Sequence, residues 1–139
     1  MQLKQFNEEV LYGDDLVVEV DNDDIKALKE KAARNQRKRI RLCAHRGVED
    51  SLHEMLIIHT RGTYVRPHKH LNKTESFHVI EGLVDVILFD DAGNIAEVIA
   101  MGDYSSKRKF FYRMNNSQYH TLLIHSDYLV FHETTQGPF

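Results

Sequence analysis

His68 and His70, one residue apart, with Glu75 five positions later, are the side chains in this sequence best spaced to do chemistry together. In an extended chain residues i and i+2 share a face, so both imidazoles aim at one point. Glu75 can return a carboxylate to that point across a tight bend, and Gly62 and Gly82 bracket the stretch. Imidazole nitrogens and a carboxylate oxygen form the donor set of a divalent transition-metal site. A fourth ligand is expected from a later strand. His120 is the candidate, because Leu122 and Ile124 share its face by period two and mark that face as interior. His125 has the opposite parity and begins the next turn, which makes it the weaker choice. An isolated His-x-His reads more simply as surface histidines with a glutamate as charge partner. The glycines, the β-rich context and the downstream interior histidine favour the metal. Zn, Fe, Mn, Ni and Co all accept three imidazoles and one carboxylate. Five- or six-fold coordination would leave one or two positions for water or substrate, enough to polarise a carbonyl or activate water.

Other groups qualify as neighbours of this site. Tyr64 and Arg66 share strand parity with His68 and His70, as a candidate acid/base and a candidate anion anchor. Alternatively, Pro67 disturbs the parity and Arg66 lies at the rim. His59 reads as a core histidine with a backbone partner, or else as support for the metal ligands. His78 has the opposite parity to Glu75 and should face away. Nine of the 18 Lys and Arg residues fall between Lys26 and Arg46. That band reads as a solvated helix face plus an edge strand protected by charge, with anion binding as the other reading. The single cysteine, Cys43, has no internal disulfide partner and suits a reducing compartment.

These side chains need a β scaffold, and the chain supplies one. Eight acidic residues precede residue 25, against the lone Lys4. Leu16–Val20 reads as a short strand, and Asp21–Asp24 offers capping side chains for a helix. Ile25, Leu28, Ala32 and Ala33 form an amphipathic stripe, placing the helix at about residues 24–36. Strand patterns follow at Arg39–Ala44, Leu52–Thr60, Ser76–Gly82, Leu83–Phe89, Ile95–Ala100, Lys109–Arg113, Tyr119–Ile124 and Asp127–His132, with turn residues at Asp90–Asn94. Short strands joined by turns indicate a mainly all-β sandwich or barrel with one N-terminal α-helix. Residues 1–36 are expected to pack on a barrel formed by residues 37–139, one domain overall.

Composition narrows the function. With 139 residues, 42% hydrophobic and 28% charged, the chain can bury a core. A net charge of -3 gives no global pull toward nucleic acid or membranes. No apolar run approaches a membrane helix, and the start lacks a signal-peptide core, so a cytoplasmic location is expected. There is no phosphate-cradling glycine loop, no Gly-x-Ser-x-Gly elbow and no Cys-x2-Cys pair.

The stretch from Gly62 to Gly82 fits G-x5-H-x-H-x4-E-x6-G and so resembles the first motif of the cupin superfamily. The Pro-x-Gly turn usual before the second motif's histidine is missing from Met114–His120, where Asn115-Asn116 can make the turn instead. A narrower resemblance, to WbuC-type cupin fold metalloproteins, rests on Arg39–His45, Leu52–Ile58, Tyr64–His70, Asn72–Glu75 and the ending His132–Phe139. It implies a double-stranded β-helix, a jelly-roll-like barrel, with one bound metal and a setting in O-antigen and surface-polysaccharide gene clusters. The expected function is then a metal-dependent isomerase or epimerase acting on a sugar or nucleotide-sugar. An Fe(II)-dependent dioxygenase and a non-catalytic saccharide-binding module are the alternatives. A homodimer through the sheets is the expected assembly. The Glu133–Phe139 segment suggests only docking against the barrel.

Overall fold

The computed structural model describes residues 1–138, so Phe139, the last residue of the expected C-terminal docking segment, lies outside the described residues. Its elements are β1 (Leu3–Gln5), β2 (Val10–Gly13), α1 (Asn22–Arg34), β3 (Arg39–Cys43), β4 (Leu52–Thr60), β5 (Glu75–Glu81), β6 (Leu83–Phe89), β7 (Ile95–Gly102), β8 (Phe111–Met114), β9 (His120–Ile124) and β10 (Tyr128–Gln136). They form a seven-stranded sheet in the order β1-β2-β3-β4-β10-β5-β8 and a three-stranded sheet in the order β7-β6-β9. Only the β2–β3 pairing is parallel among these ladders. The expected barrel with one N-terminal helix is therefore present.

The helix begins where its capping chemistry dictates. Asp21 accepts from the Asp24 backbone N–H at 2.9 Å, and Asp24 accepts from the Asp21 N–H at 3.0 Å, a reciprocal box. It stops at Arg34 because Asn35 turns extended, and the Asn35 amide then donates to the Glu8 and Arg39 carbonyls at 2.7 and 2.9 Å. The helix thus runs about two residues earlier than its apolar stripe suggests. Leu28 and Ala32 are buried against Leu11, Ile40, Leu42, Ile58 and Val130. Each large aliphatic side chain so buried contributes about 1.5–3 kcal/mol.

Two expectations are corrected in this region. Leu16–Val20 forms no strand, and Leu16 and Val17 stay 92% and 70% exposed. The edges of β2 are already taken by β1 and β3, two pairings that the sequence pattern did not show. The charged strand β3 is not an edge strand but lies between β2 and β4. Its apolar face, Ile40 and Leu42, carries the helix. Its charged face must therefore look the other way, into the barrel.

Register fixes what that inner face contains. Arg39 and Arg41 stand opposite His59 and Ile57 on β4, and these stand opposite Leu129 and Phe131 on β10. Beyond them Glu133 pairs with Phe77, and Glu75 pairs with Thr135 and Met114. The facing sheet contributes Val84, Val86 and Leu88, opposite Ile124, Leu122 and His120. Phe77, Val79, Val84, Val86, Leu129 and Phe131 close most of the space between the sheets.

The chain crosses from the large sheet to the small one at Gly82, where φ is +105°. The Ser126 hydroxyl accepts from the Leu83 N–H at 2.9 Å and donates to the Tyr128 carbonyl at 2.7 Å, locking the crossing from outside.

Candidate metal centre

The segment holding His68 and His70 is irregular rather than a regular strand. His68 nevertheless forms an isolated bridge with His120, each backbone N–H donating to the other's carbonyl at 3.0 Å. That bridge sets the two imidazoles side by side, with ring centroids 4.3 Å apart. The His70 ring lies 5.4 Å from that of His68. Glu75, at the start of β5, brings Oε1 to 2.9 Å from His120 Nε2 and Oε2 to 3.9 Å from His70 Nε2. All four expected ligands are thus brought together. Hydroxyl anchors hold the loop: Ser117 donates to the His70 carbonyl, and Thr121 donates to that of Val65.

The donors are oriented as ligands are. His68 Nδ1 lies 2.9 Å from the Arg66 carbonyl and His120 Nδ1 lies 2.9 Å from the Gln118 carbonyl. A carbonyl only accepts, so each Nδ1 carries a hydrogen, and in the neutral ring Nε2 is then the nitrogen with the lone pair. Glu75 and His120 are 4% and 3% exposed. Despite the short approach of His120, neither Glu75 oxygen has a hydrogen bond of acceptable direction within the protein. A buried carboxylate without hydrogen bonds is costly unless something else binds it. Burial alone would raise the Glu75 pKa, but the close contact with His120 and the charges of the three histidines hold it below the usual range. Burial is the main force pushing His68 down. At His120 burial is overcome by Glu75, and the pKa goes up. As they stand, no three or more His, Cys, Asp or Glu side chains among the described residues form a group that could hold a metal ion. The donor set, the Nδ1 atoms committed to carbonyls and the carboxylate without a hydrogen bond nevertheless fit one chemically.

Tyr64 and Arg66 are not brought to this cluster. Tyr64 is 74% exposed, Arg66 is exposed, and the buried residue between them is Val65. Pro67 shifts the alternation by one residue, so His68 turns inward where regular parity would put it outside. His78 is exposed, as its parity implies. His125 reaches Asp85 at 2.8 Å, away from the cluster.

A cavity of about 330 Å³ adjoins the cluster. His68 and His120 form part of its wall, followed by Glu133, Tyr112, Phe77 and Phe131, and then by Arg41, Arg39, Arg37 and His59. Burial, with Glu75 adding to it, pushes the half-buried Glu133 carboxyl up to about 7. Burial also raises the Tyr112 phenol well above its ordinary range. Arg39 and Arg41 belong to the Lys26–Arg46 band whose preferred reading is a solvated face, with anion binding as the other, and the sequence pattern gives Glu133 no role. The signal was available: once the apolar face of Arg39–Cys43 is assigned to the helix, its charged face has only the interior left.

His59 lies edge-on to Phe131, centroids 5.5 Å apart, and its buried Nδ1 has no partner. Burial, helped by the Arg39 charge, pushes its pKa from 6.5 to about 4. The unfolded chain protonates this ring near 6.5, whereas the folded protein resists protonation down to about 4. The stability His59 contributes is therefore complete above pH 6.5 and is lost as pH falls toward 4, about 3 kcal/mol across the window. Urea denaturation at pH 7.5 and 5 should show wild type losing about 2 kcal/mol more than His59→Gln. Equal losses would contradict a neutral, buried His59.

The fold defined by this barrel and helix is that of a cupin. The cupin domain of Schizosaccharomyces pombe Cnp3 superposes with a TM-score of 0.57 at 12% identity, over 73% of this chain and 66% of that one. A Streptococcus pyogenes protein of unknown function, SPY1581, gives 0.56 at 10% identity, over 76% and 79%. Bacillus subtilis oxalate decarboxylase, a protein with Mn(II) centres, gives 0.52 at 16% identity, over 65% of this chain but only 22% of that one. The chain belongs to the family described as Domain of unknown function (DUF6016), whose model matches residues 20–101. That match takes in His68, His70 and Glu75 and stops before His120. No curated protein matches the chain. No helix among the described residues is long and apolar enough to cross a membrane.

Proposed function

We propose that this cupin binds one divalent transition-metal ion through His68, His70, Glu75 and His120, and acts on a sugar or nucleotide-sugar as an isomerase or epimerase. The observation that carries the reading is the buried Glu75 carboxylate, without hydrogen bonds, set against two imidazoles whose Nδ1 atoms are committed to carbonyls. The resemblance of Tyr64–His70 and Asn72–Glu75 to WbuC-type proteins supports a setting in surface-polysaccharide assembly. When bound, the metal would polarise a carbonyl or enediolate oxygen.

The chain's own residues supply the remainder. His68 and His120 present Nε2, Glu75 supplies the negative charge, and His70, whose Nε2 lies 3.9 Å from Glu75, would complete the set. Val65, Phe77, Leu122 and Phe131 line the cavity with apolar surface and keep bulk water off the reacting atoms. Glu133 lies on the same wall, where a carboxyl can take or return a proton.

Incubating metal-loaded protein with a panel of sugars and nucleotide-sugars should give an isomerised product with at least one of them. No turnover and no thermal shift with any sugar would remove the enzymatic reading. The same donor set suits Fe(II), so oxygen uptake by the Fe(II) form but not the Zn form would instead identify a dioxygenase. Tight saccharide binding without turnover would identify a binding module.

A further inference from the structure

The cavity holds a second set of polar groups that the metal does not use. Arg41 Nε is buried and has no hydrogen-bond partner, and no carboxylate lies within ion-pair distance of its guanidinium among the described residues. Its neighbours differ in this respect. Arg37 binds Glu9 at 2.6 and 2.7 Å and Arg39 binds the same carboxylate at 3.2 Å, and Arg37 above all holds Glu9 down at about 2. His59 is 7% exposed, and its Nδ1 is the other orphaned polar atom on this wall. Register explains the grouping: Arg39 faces His59 across the β3–β4 ladder, and Arg41 is two residues along the same face. A buried guanidinium N–H without an acceptor is costly, and a ligand carboxylate that accepts from it recovers the loss.

We infer that the cavity takes a small carboxylic acid, its carboxylate held by Arg41 with Arg39 and His59 beside it and its other end at the His68–His120 cluster. The proposal rests on the reading above for the metal end, and on Arg41 alone for the anion end. A monoanion fits better than a phosphate. Arg37 and Arg39 already share one carboxylate, while Glu133, on the cavity wall, repels a second negative charge. At about 330 Å³ the cavity is at the small end for ligand sites, matching one sugar ring rather than a nucleotide-sugar. The substrate class thus narrows to a sugar acid or a similar hydroxy acid.

Isothermal titration of the full chain with D-glucuronate, D-glucose and D-glucose 1-phosphate tests this, on metal-loaded and chelator-treated protein. Glucuronate should bind at least tenfold more tightly than either of the others. Arg41→Met should abolish that preference while metal content stays at the wild-type level. Arg41→Lys, which keeps the charge but not the fork, should fall between, and circular dichroism checks that both variants fold. Equal binding of glucuronate and glucose, tighter binding of the phosphate, no binding of glucuronate, or a preference that survives Arg41→Met would overturn the proposal. A protein that takes up no metal yet discriminates glucuronate through Arg41 would sink the metal reading alone. Full metal loading without discrimination would sink the carboxylate subsite alone.

Discussion

Replacing His120 with alanine is expected to weaken divalent-metal binding by more than a hundredfold, beyond the roughly 10–100-fold that partners behind the ligands cost. His120 has almost no exposure, its Nδ1 is committed to the Gln118 carbonyl, and its Nε2 stands 2.9 Å from Glu75. Removing the ring leaves a hole in the one wall that faces both His68 and Glu75. The fold should survive, because the bridge to His68 is made by backbone atoms alone. Stability then becomes the readout. Metal at a hundred times its Kd stabilises the native state by about 2.7 kcal/mol. For a chain of this size that raises Tm by about 8 °C, and a chelator should reverse it. His120→Ala should show a shift of less than about 1.5 °C under the same conditions. His125→Ala, five residues along and paired with Asp85 instead, should keep the full shift. A full metal shift in His120→Ala would remove His120 from the site.

The largest loss of stability is expected at Gly82. A side chain there faces two separate obstacles: φ is +105°, and an added Cβ would collide with the Tyr128 carbonyl and the Ser126 hydroxyl. The first is backbone strain, and the second is overpacking against backbone that the sheet crossing holds in place. Gly82→Val should therefore cost about 3–5 kcal/mol. Gly62 separates the two terms, since its φ is +86° but nothing lies within 4 Å of the added Cβ. Gly62→Val should cost only about 1–2 kcal/mol, the backbone term alone. Urea denaturation of the two variants measures the difference, and equal losses would show that the close approach at Gly82 carries no weight. The two glycines that bracket the histidine motif thus serve different ends: one frees a turn, and the other lets two chain segments touch.

The parts of this protein that were legible in its sequence are those where one local rule decided the outcome. Period-two alternation located β4, β6 and β9, and Asp21–Asp24 located the helix start. Spacing brought His68, His70, Glu75 and His120 to one place even though the first two sit on irregular backbone. The failures arose where a distant element decided. Leu16–Val20 has strand composition but no free edge on β2 to pair with, and short, polar β1 took a place that its composition did not advertise. Tyr64 and Arg66 followed the alternation, but Pro67 broke it one residue before the histidines. The arginines of β3 were read as solvated because alternation tells which residues share a face, not which face is the inner one. Only the helix packed on Ile40 and Leu42 settles that, and with it the polarity of the cavity.

The central claim is that His68, His70, Glu75 and His120 hold a metal ion. Protein purified without an affinity tag, loaded in turn with Zn, Fe(II), Mn, Ni and Co, and examined by elemental analysis and anomalous scattering tests it most directly. The account predicts close to one metal ion per chain, with its anomalous peak among the His68, His70 and His120 rings and the Glu75 carboxylate. No retained metal after any loading, or a peak elsewhere in the molecule, would contradict it.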